Sequence, residues 1–249
     1  MKNRFLRRLK SVIMLQLGLK KYGWFGNYSS WQDASRLSTG YDERSILEKV
    51  RNALLKVKNG EAVHERDSVL FDKIEYSWPL LSAVLLVAAT KNGTVKVLDF
   101  GGSLGSTYFQ NRVYLNELNR VEWAIVEQKH FVEAGKKEFE DDQLRFYYSI
   151  KDCISANGLP DILLLSCVIP YIEDPYALLN DLVQYNIPFL LIDNTPFNYI
   201  EKNRLTIQKV PPQIYKATTP SWMLSYEQIK NHIGMKYRSE EHTSELQSP

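Results

Sequence analysis

Residues Val97 to Gly105, Val-Leu-Asp-Phe-Gly-Gly-Ser-Leu-Gly, constrain the fold of this chain more than any other stretch. The apolar-rich positions Val95 to Leu98 read as a buried strand that Asp99 ends. Gly101, Gly102 and Gly105 follow, and a helical pattern opens at Ser106 and runs to Leu118. A strand that turns on glycines into a helix lets the backbone approach a ligand closely, beside the free N–H groups of the helix start. The same turn also occurs in α/β proteins that hold no cofactor, so its flanking residues decide what it can bind.

The first of these is Asp99, whose carboxylate repels a pyrophosphate and suits a ligand with an amino group or a cationic centre. S-adenosylmethionine has both. The second is Glu127, at the end of a strand predicted over Val121 to Val126. An acidic residue at the end of the second strand of a βαβ unit accepts hydrogen bonds from ribose hydroxyls. The dinucleotide fingerprint G-x-G-x-x-G is not met, because Ser103 and Ser106 stand where its second and third glycines belong. The residues expected to hold the cofactor are therefore Asp99, Phe100, Gly101, Gly102, Ser103, Gly105 and Glu127, with Ser166 from a later strand end.

The pattern persists downstream. Helices are predicted over Phe131 to Phe139, Lys151 to Ala156 and Pro175 to Gln184, and strands over Leu144 to Ile150, Asp161 to Val168 and Pro188 to Ile192. Continuous apolar strands separated by helices imply a parallel sheet covered on both faces. Right-handed crossovers then predict a doubly wound, Rossmann-like α/β fold, with Asp99, Glu127, Ser149, Ser166 and Asp193 along its ligand-binding edge. Upstream, Tyr76 to Ala89 reads as a buried helix and Glu43 to Val57 as an amphipathic one. Ser30 with Asp33 reads as a helix cap inside the otherwise loop-like Phe25 to Asp42, and Gly60 to Asp67 reads as a loop. The expected organisation is a basic, helical N-terminal extension over 1–75 and a Rossmann-like domain over 76–237.

The two ends need their own reading. Lys2, Arg4, Arg7, Arg8 and Lys10 precede the apolar run Val12 to Leu19, which is too short to span a bilayer. Two readings stay open: a helix lying on an anionic membrane surface, or a first helix whose basic face is solvated. With no apolar run of spanning length, a cytoplasmic protein is expected. At the other end, the codons for Arg238 to Pro249 can spell a widely used sequencing adapter, so 238–249 is expected to be an assembly artefact. The natural chain is then expected to continue beyond Tyr237. Without the segment's one Arg and three Glu, the formal charge is +4 rather than +2. That charge is small and its basic residues are not gathered around the glycine turn, which argues against a nucleic-acid acceptor. The two cysteines, Cys153 and Cys167, offer neither a disulfide framework nor metal spacing, and Cys167 reads as a small core residue. The four histidines are scattered, so no metal is expected.

Taken together, Val97 to Gly105, Glu127 and the stretch Asp161 to Pro175 resemble a class I S-adenosylmethionine-dependent methyltransferase. The combination of Gly26-Asn27-Tyr28, Gly40-Tyr41-Asp42, Leu98 to Gly105 and Gln208 to Tyr215 is similar to a narrower family of bacterial methyltransferases associated with surface-polysaccharide gene clusters. The class pattern has a glycine where Ser103 stands. The resemblance implies a methyl donor as cofactor and a sheet completed by an antiparallel hairpin. That hairpin is expected after the helix Tyr226 to Ile233 and would be lost through truncation here.

Methyl transfer from a sulfonium needs a base only when the acceptor must lose a proton. Tyr171, His130 and Asp193 are the candidates near strand ends. Tyr171 can also simply pack under the cofactor, His130 can be a surface residue, and Asp193 can cap its turn. Thr195 to Trp222, rich in aromatics and prolines, reads either as an acceptor-binding segment or as an ordinary crossover. The acceptor is expected to be a small molecule or glycan precursor. A nicotinamide-dependent oxidoreductase and a non-catalytic nucleoside-binding module are the alternatives.

Overall fold

The computed structural model of the protein describes residues 21–40, 43–212, 214 and 217–238. The basic N-terminal run and the adapter-like segment beyond Arg238 lie outside the described residues. A five-stranded parallel sheet forms the centre: β4 (Thr94–Phe100), β5 (Arg120–Val126), β6 (Leu144–Tyr147), β7 (Ile162–Ser166) and β8 (Phe189–Asp193). Its strand order is β6-β5-β4-β7-β8, so the order reverses between β4 and β7. In open α/β sheets that reversal opens a crevice at the carboxyl ends of the strands. This is the doubly wound arrangement read from the alternating pattern.

Both faces of the sheet are covered, as parallel sheets require. On one face, Val95, Val97, Trp123, Ile125, Phe146 and Leu164 pack under α2 (Glu43–Lys58), α3 (Trp78–Thr90), α4 (Ser106–Leu115) and α5 (Lys129–Glu138). On the other, Leu98, Ala124, Leu163 and Leu165 pack under α6 (Ile150–Asn157), α7 (Pro175–Val183) and α8 (Tyr226–Ile233). Strand periodicity separates the two sets, since neighbouring residues point to opposite faces. Helix α3 is buried along one side only. Its Trp78 and Leu86 are 57% and 59% exposed, although the segment is apolar throughout.

Two segments read as loops form strands. Phe25 to Asp42 contributes β1 (Gly23–Tyr28) and α1 (Trp31–Arg36), the latter capped as expected by Ser30 accepting from Asp33 N. Strand β1 pairs antiparallel with β10 (Arg204–Lys209), which pairs with β11 (Thr218–Ser225). β9 (Phe197–Asn198) lies parallel to β11, completing a second sheet. Gly60 to Asp67 contributes β2 (His64–Arg66), paired with β3 (Val69–Phe71) across the two-residue turn Asp67-Ser68. Both turn residues have positive φ, as the tightest hairpin turns demand. The N-terminal segment is thus not purely helical. Its β1 pairs with a strand from the C-terminal third, and β2–β3 reaches the ligand edge.

Helix α8 spans Tyr226–Ile233, the span predicted from sequence. Among the described residues the central sheet ends at β8, which pairs with β7 alone.

Candidate cofactor site

The glycine turn follows β4. The register sets Asp99 opposite Ile125 and Phe100 opposite Val126, so the turn begins beside Glu127. Gly101 N donates to Val126 O at 2.9 Å, which joins the turn to the end of β5. Gly101 has φ 73°, and a Cβ there would stand 2.6 Å from Val168 Cγ2, at the start of the segment after β7. The turn therefore closes against the far side of the crevice. Gly105, at φ 101°, caps α4. Ser103 has φ 53°, a left-handed conformation that costs an L-residue roughly 1–2 kcal/mol. The glycine expected at this position has a physical reason. Ser103→Gly should stabilise the protein by about 0.5–1 kcal/mol after glycine's own entropic cost, measurable by urea unfolding.

Asp99 lies under the turn with no exposed surface. Its Oδ2 accepts from Trp123 Nε1 at 3.2 Å, and Oδ1 is buried without a partner among the described residues. Trp123 stands opposite Val97 and so shares a sheet face with Asp99, two residues on. Burial raises the Asp99 carboxyl to about 7, against the Trp123 hydrogen bond, and the charges of Glu127 and Asp193 push the same way. A Cβ on Gly102 would sit 2.5 Å from the Asp99 carboxyl carbon, so this glycine is required by close approach. Asp99 faces the underside of the turn rather than open solvent.

Glu65, from the β2–β3 hairpin, went unnoticed in the sequence. It is 1% exposed and accepts from Ser106 Oγ, the first residue of α4, and from Ser68 N. Burial holds its carboxyl above the usual range. No periodicity marks a three-residue strand as polar as His-Glu-Arg, so only the tertiary fold reveals it. Glu65 sets a carboxylate at the helix start, where a Rossmann dinucleotide would place its pyrophosphate.

The remaining predicted residues gather at the same edge. Glu127 is half-buried, and its Oε2 accepts from Gln128 N at 2.6 Å. Ser166 pairs in register with Asp193, and its Oγ lies 3.4 Å from Asp193 Oδ2. Asp193 accepts from Ser77 Oγ at 2.8 Å and Asn194 Nδ2 at 2.9 Å, so it clasps β8 to the start of α3. Ser77 makes no side-chain cap bond to α3 because its hydroxyl is turned to Asp193. Tyr171 lies in a 3-10 turn after β7 and donates from its hydroxyl to Gln208 Oε1 at 2.9 Å. Phe100 packs with the α6–α8 face. His130 stands in the first turn of α5, its ring against Phe131. Ser149 caps α6, accepting from Asp152 N.

Cys167 is a correction. It is exposed, with φ 57°, because β7 ends at Ser166 and the chain turns there. Its thiol still lies within reach of Asp67, Tyr171 and Asp193, and partial burial pushes it up to about 11.

Two cavities, of about 310 and 300 Å³, lie at the opposite end of the sheet, lined by Lys96, Arg120 and Glu122 among others. They lie far along the strands from the glycine turn. No group of three or more metal-ligating side chains occurs among the described residues. No helix among them is long and apolar enough to cross a membrane.

No protein-family model matches the chain, and no curated protein does. Solved structures give matches. One is the N-terminal domain of EvdMO1 crystallised with SAH and D-fucose (TM-score 0.41, 11% identity, covering 79% of this chain and 87% of that one). A second is an S-adenosylmethionine dependent methyltransferase from Mesorhizobium loti (TM-score 0.42, 14% identity, 66% and 82%). A third is CalS10, an amino pentose methyltransferase from Micromonospora echinaspora (TM-score 0.41, 9% identity, 65% and 83%). TM-scores below 0.5 at such identities are too low to assign this chain a family or an activity.

Proposed function

We propose that the protein binds S-adenosyl-L-methionine at the glycine turn and transfers its methyl group to a small molecule or glycan precursor. The observation that carries this reading is the pair of buried carboxyl groups at the turn, Asp99 beneath it and Glu65 at the start of α4. A helix start after a glycine turn ordinarily receives an anion. Here a protein carboxyl occupies that place, which disfavours a nicotinamide dinucleotide and suits a ligand with a cationic end. Asp99 supports the turn from beneath, held by Trp123 Nε1 and packed under Gly102.

In this reading the turn from Asp99 to Gly105 holds the amino-acid end, Glu127 the ribose, and Phe100 and Ser166 flank the crevice. When bound, the cofactor supplies an electrophilic methyl group. The protein's own part is to position the acceptor and exclude water. Tyr171, His130 and Asp193 remain the candidates for moving an acceptor proton. Asp193 already accepts from Ser77 and Asn194, and a role as base would require those bonds to yield. The link to surface polysaccharides, a cytoplasmic location and peripheral membrane contact through the basic N-terminus belong to the same proposal and rest on the sequence.

Glu127→Ala should weaken binding of S-adenosylhomocysteine by roughly 1–3 kcal/mol, the range for hydrogen bonds to a charged group. Fluorescence titration with S-adenosylhomocysteine and, separately, NADH tests the reading. Tight NADH binding with none for the methyl-donor product would reverse it.

A further inference from the structure

We propose that the exposed side of α3 is the contact surface of a homodimer, with Ser82 on its two-fold axis. The proposal stands apart from the methyl-donor reading. Helix α3, Trp-Pro-Leu-Leu-Ser-Ala-Val-Leu-Leu-Val-Ala-Ala-Thr, has no charged side chain in 13 residues. A helix that is apolar all round belongs in an interior. Leu80, Leu81, Val84, Val87 and Ala88 are buried, whereas Trp78, Pro79, Ser82, Leu86, Ala89 and Thr90 are exposed. Trp78, Ser82 and Leu86 stand four residues apart along one ridge of that exposed side, a small residue between two large ones. Thr90 continues the row, its hydroxyl spent on Val87 O at 2.8 Å.

That pattern is its own complement. Where two copies cross antiparallel about Ser82, Trp78 meets the partner's Leu86 and Leu86 meets the partner's Trp78, as isologous pairing requires. Ridges of i, i+4 spacing interdigitate at the commonest helix crossing, near about −50°, and a small residue at the crossing lets the axes approach to about 8 Å. Ser82 then faces its own copy, and a hydroxyl, donor and acceptor at once, pairs with itself. No charge is desolvated on either side, and antiparallel axes bring opposite ends of the two helix dipoles together. Trp78 is held ready for contact: its ring lies 5.1 Å from that of Tyr76 and 6.1 Å from that of Tyr114 on α4. A tryptophan fixed beforehand loses little freedom on binding. A lipid surface would find no lysine or arginine along the helix to hold a headgroup. The face measures about 20 Å by about 10 Å on each partner, the small end of specific interfaces, so the dimer is weak, with a Kd on the order of 10 µM.

The test is sedimentation velocity of the full chain from about 1 to about 200 µM, which brackets that constant and should show a monomer–dimer equilibrium. Ser82→Arg sets two like charges face to face on the axis and should raise the Kd at least about tenfold. Ser82 is exposed, so the variant folds, and a thermal melt matching the wild type reports it. Cross-linking tests the geometry separately. Mild oxidation should link Ser82→Cys across the axis, where facing residues come within disulfide reach. Leu86→Cys, which faces the partner's Trp78, should link no more than the wild type with its exposed Cys167. A monomer at every concentration, a dimer that Ser82→Arg leaves intact, or stronger linking by Leu86→Cys than by Ser82→Cys would overturn the proposal.

Discussion

Asp99 should contribute a fall of about 4 kcal/mol to the stability of the ligand-free protein as pH rises through the range from about 4 to about 7, and Asp99→Asn should remove that contribution. Asp99 is fully buried, and its carboxyl is raised from 3.8 to about 7. The folded state therefore holds a proton that the unfolded chain has already released. Stability from the protonated form is complete below the unfolded value and is lost as pH climbs through the folded one. Above about 7 both states are ionised and the curve flattens. Glu65 and Asp67 are raised by burial as well and add to the slope of the wild type. The difference between wild type and Asp99→Asn, measured by urea unfolding across that range, isolates Asp99. A difference that stays constant with pH would mean that Asp99 is ionised in the folded protein throughout.

Gly102→Ala should cost about 3 kcal/mol of stability and abolish detectable binding of S-adenosylhomocysteine, the upper end of what overpacking costs. The added methyl would stand 2.5 Å from the Asp99 carboxyl carbon and 2.6 Å from its Oδ2. Neither neighbour can yield. Asp99 is held by Trp123, itself 1% exposed, and the turn backbone is fixed between Val126 O and Val168. The double variant Gly102→Ala with Asp99→Ala should recover part of the stability, since the clash partner is gone. Equal stability of Gly102→Ala and wild type in thermal melts would show that the turn has more room than its geometry indicates.

The central sheet was legible because each of its strands is apolar enough to be recognised alone. Thr94–Phe100 and Phe189–Asp193 carry their own signal, and helices fall between them at the spacing a crossover needs. Ser30 and Gly105 were legible for the same reason, since a cap and a glycine turn are local chemistry. The second sheet was not. Gly23 lies opposite Lys209, so β1 exists through a partner about three quarters of the chain away, and Gly23 and Gly26 both take positive φ. Pro220 sits within β11, which argues against a strand when read alone. Local composition cannot signal an interaction of that range.

The site divides along the same line. The turn, Asp99 and Glu127 were read from consecutive residues, whereas Trp123 as the partner of Asp99 follows only from the strand register. Glu65 needed the hairpin. Cys167 was misread because an apolar run does not announce where its strand stops. Ser166 is the last residue of β7, and the next position already turns out of the sheet.

Isothermal calorimetry of the full chain against S-adenosylhomocysteine and against NAD, at one pH near neutrality, tests the central claim most directly. The account predicts saturable one-site binding of S-adenosylhomocysteine that Gly102→Ala eliminates and Glu127→Ala weakens, with no heat from NAD. Saturable NAD binding, or no heat from millimolar S-adenosylhomocysteine, would contradict it.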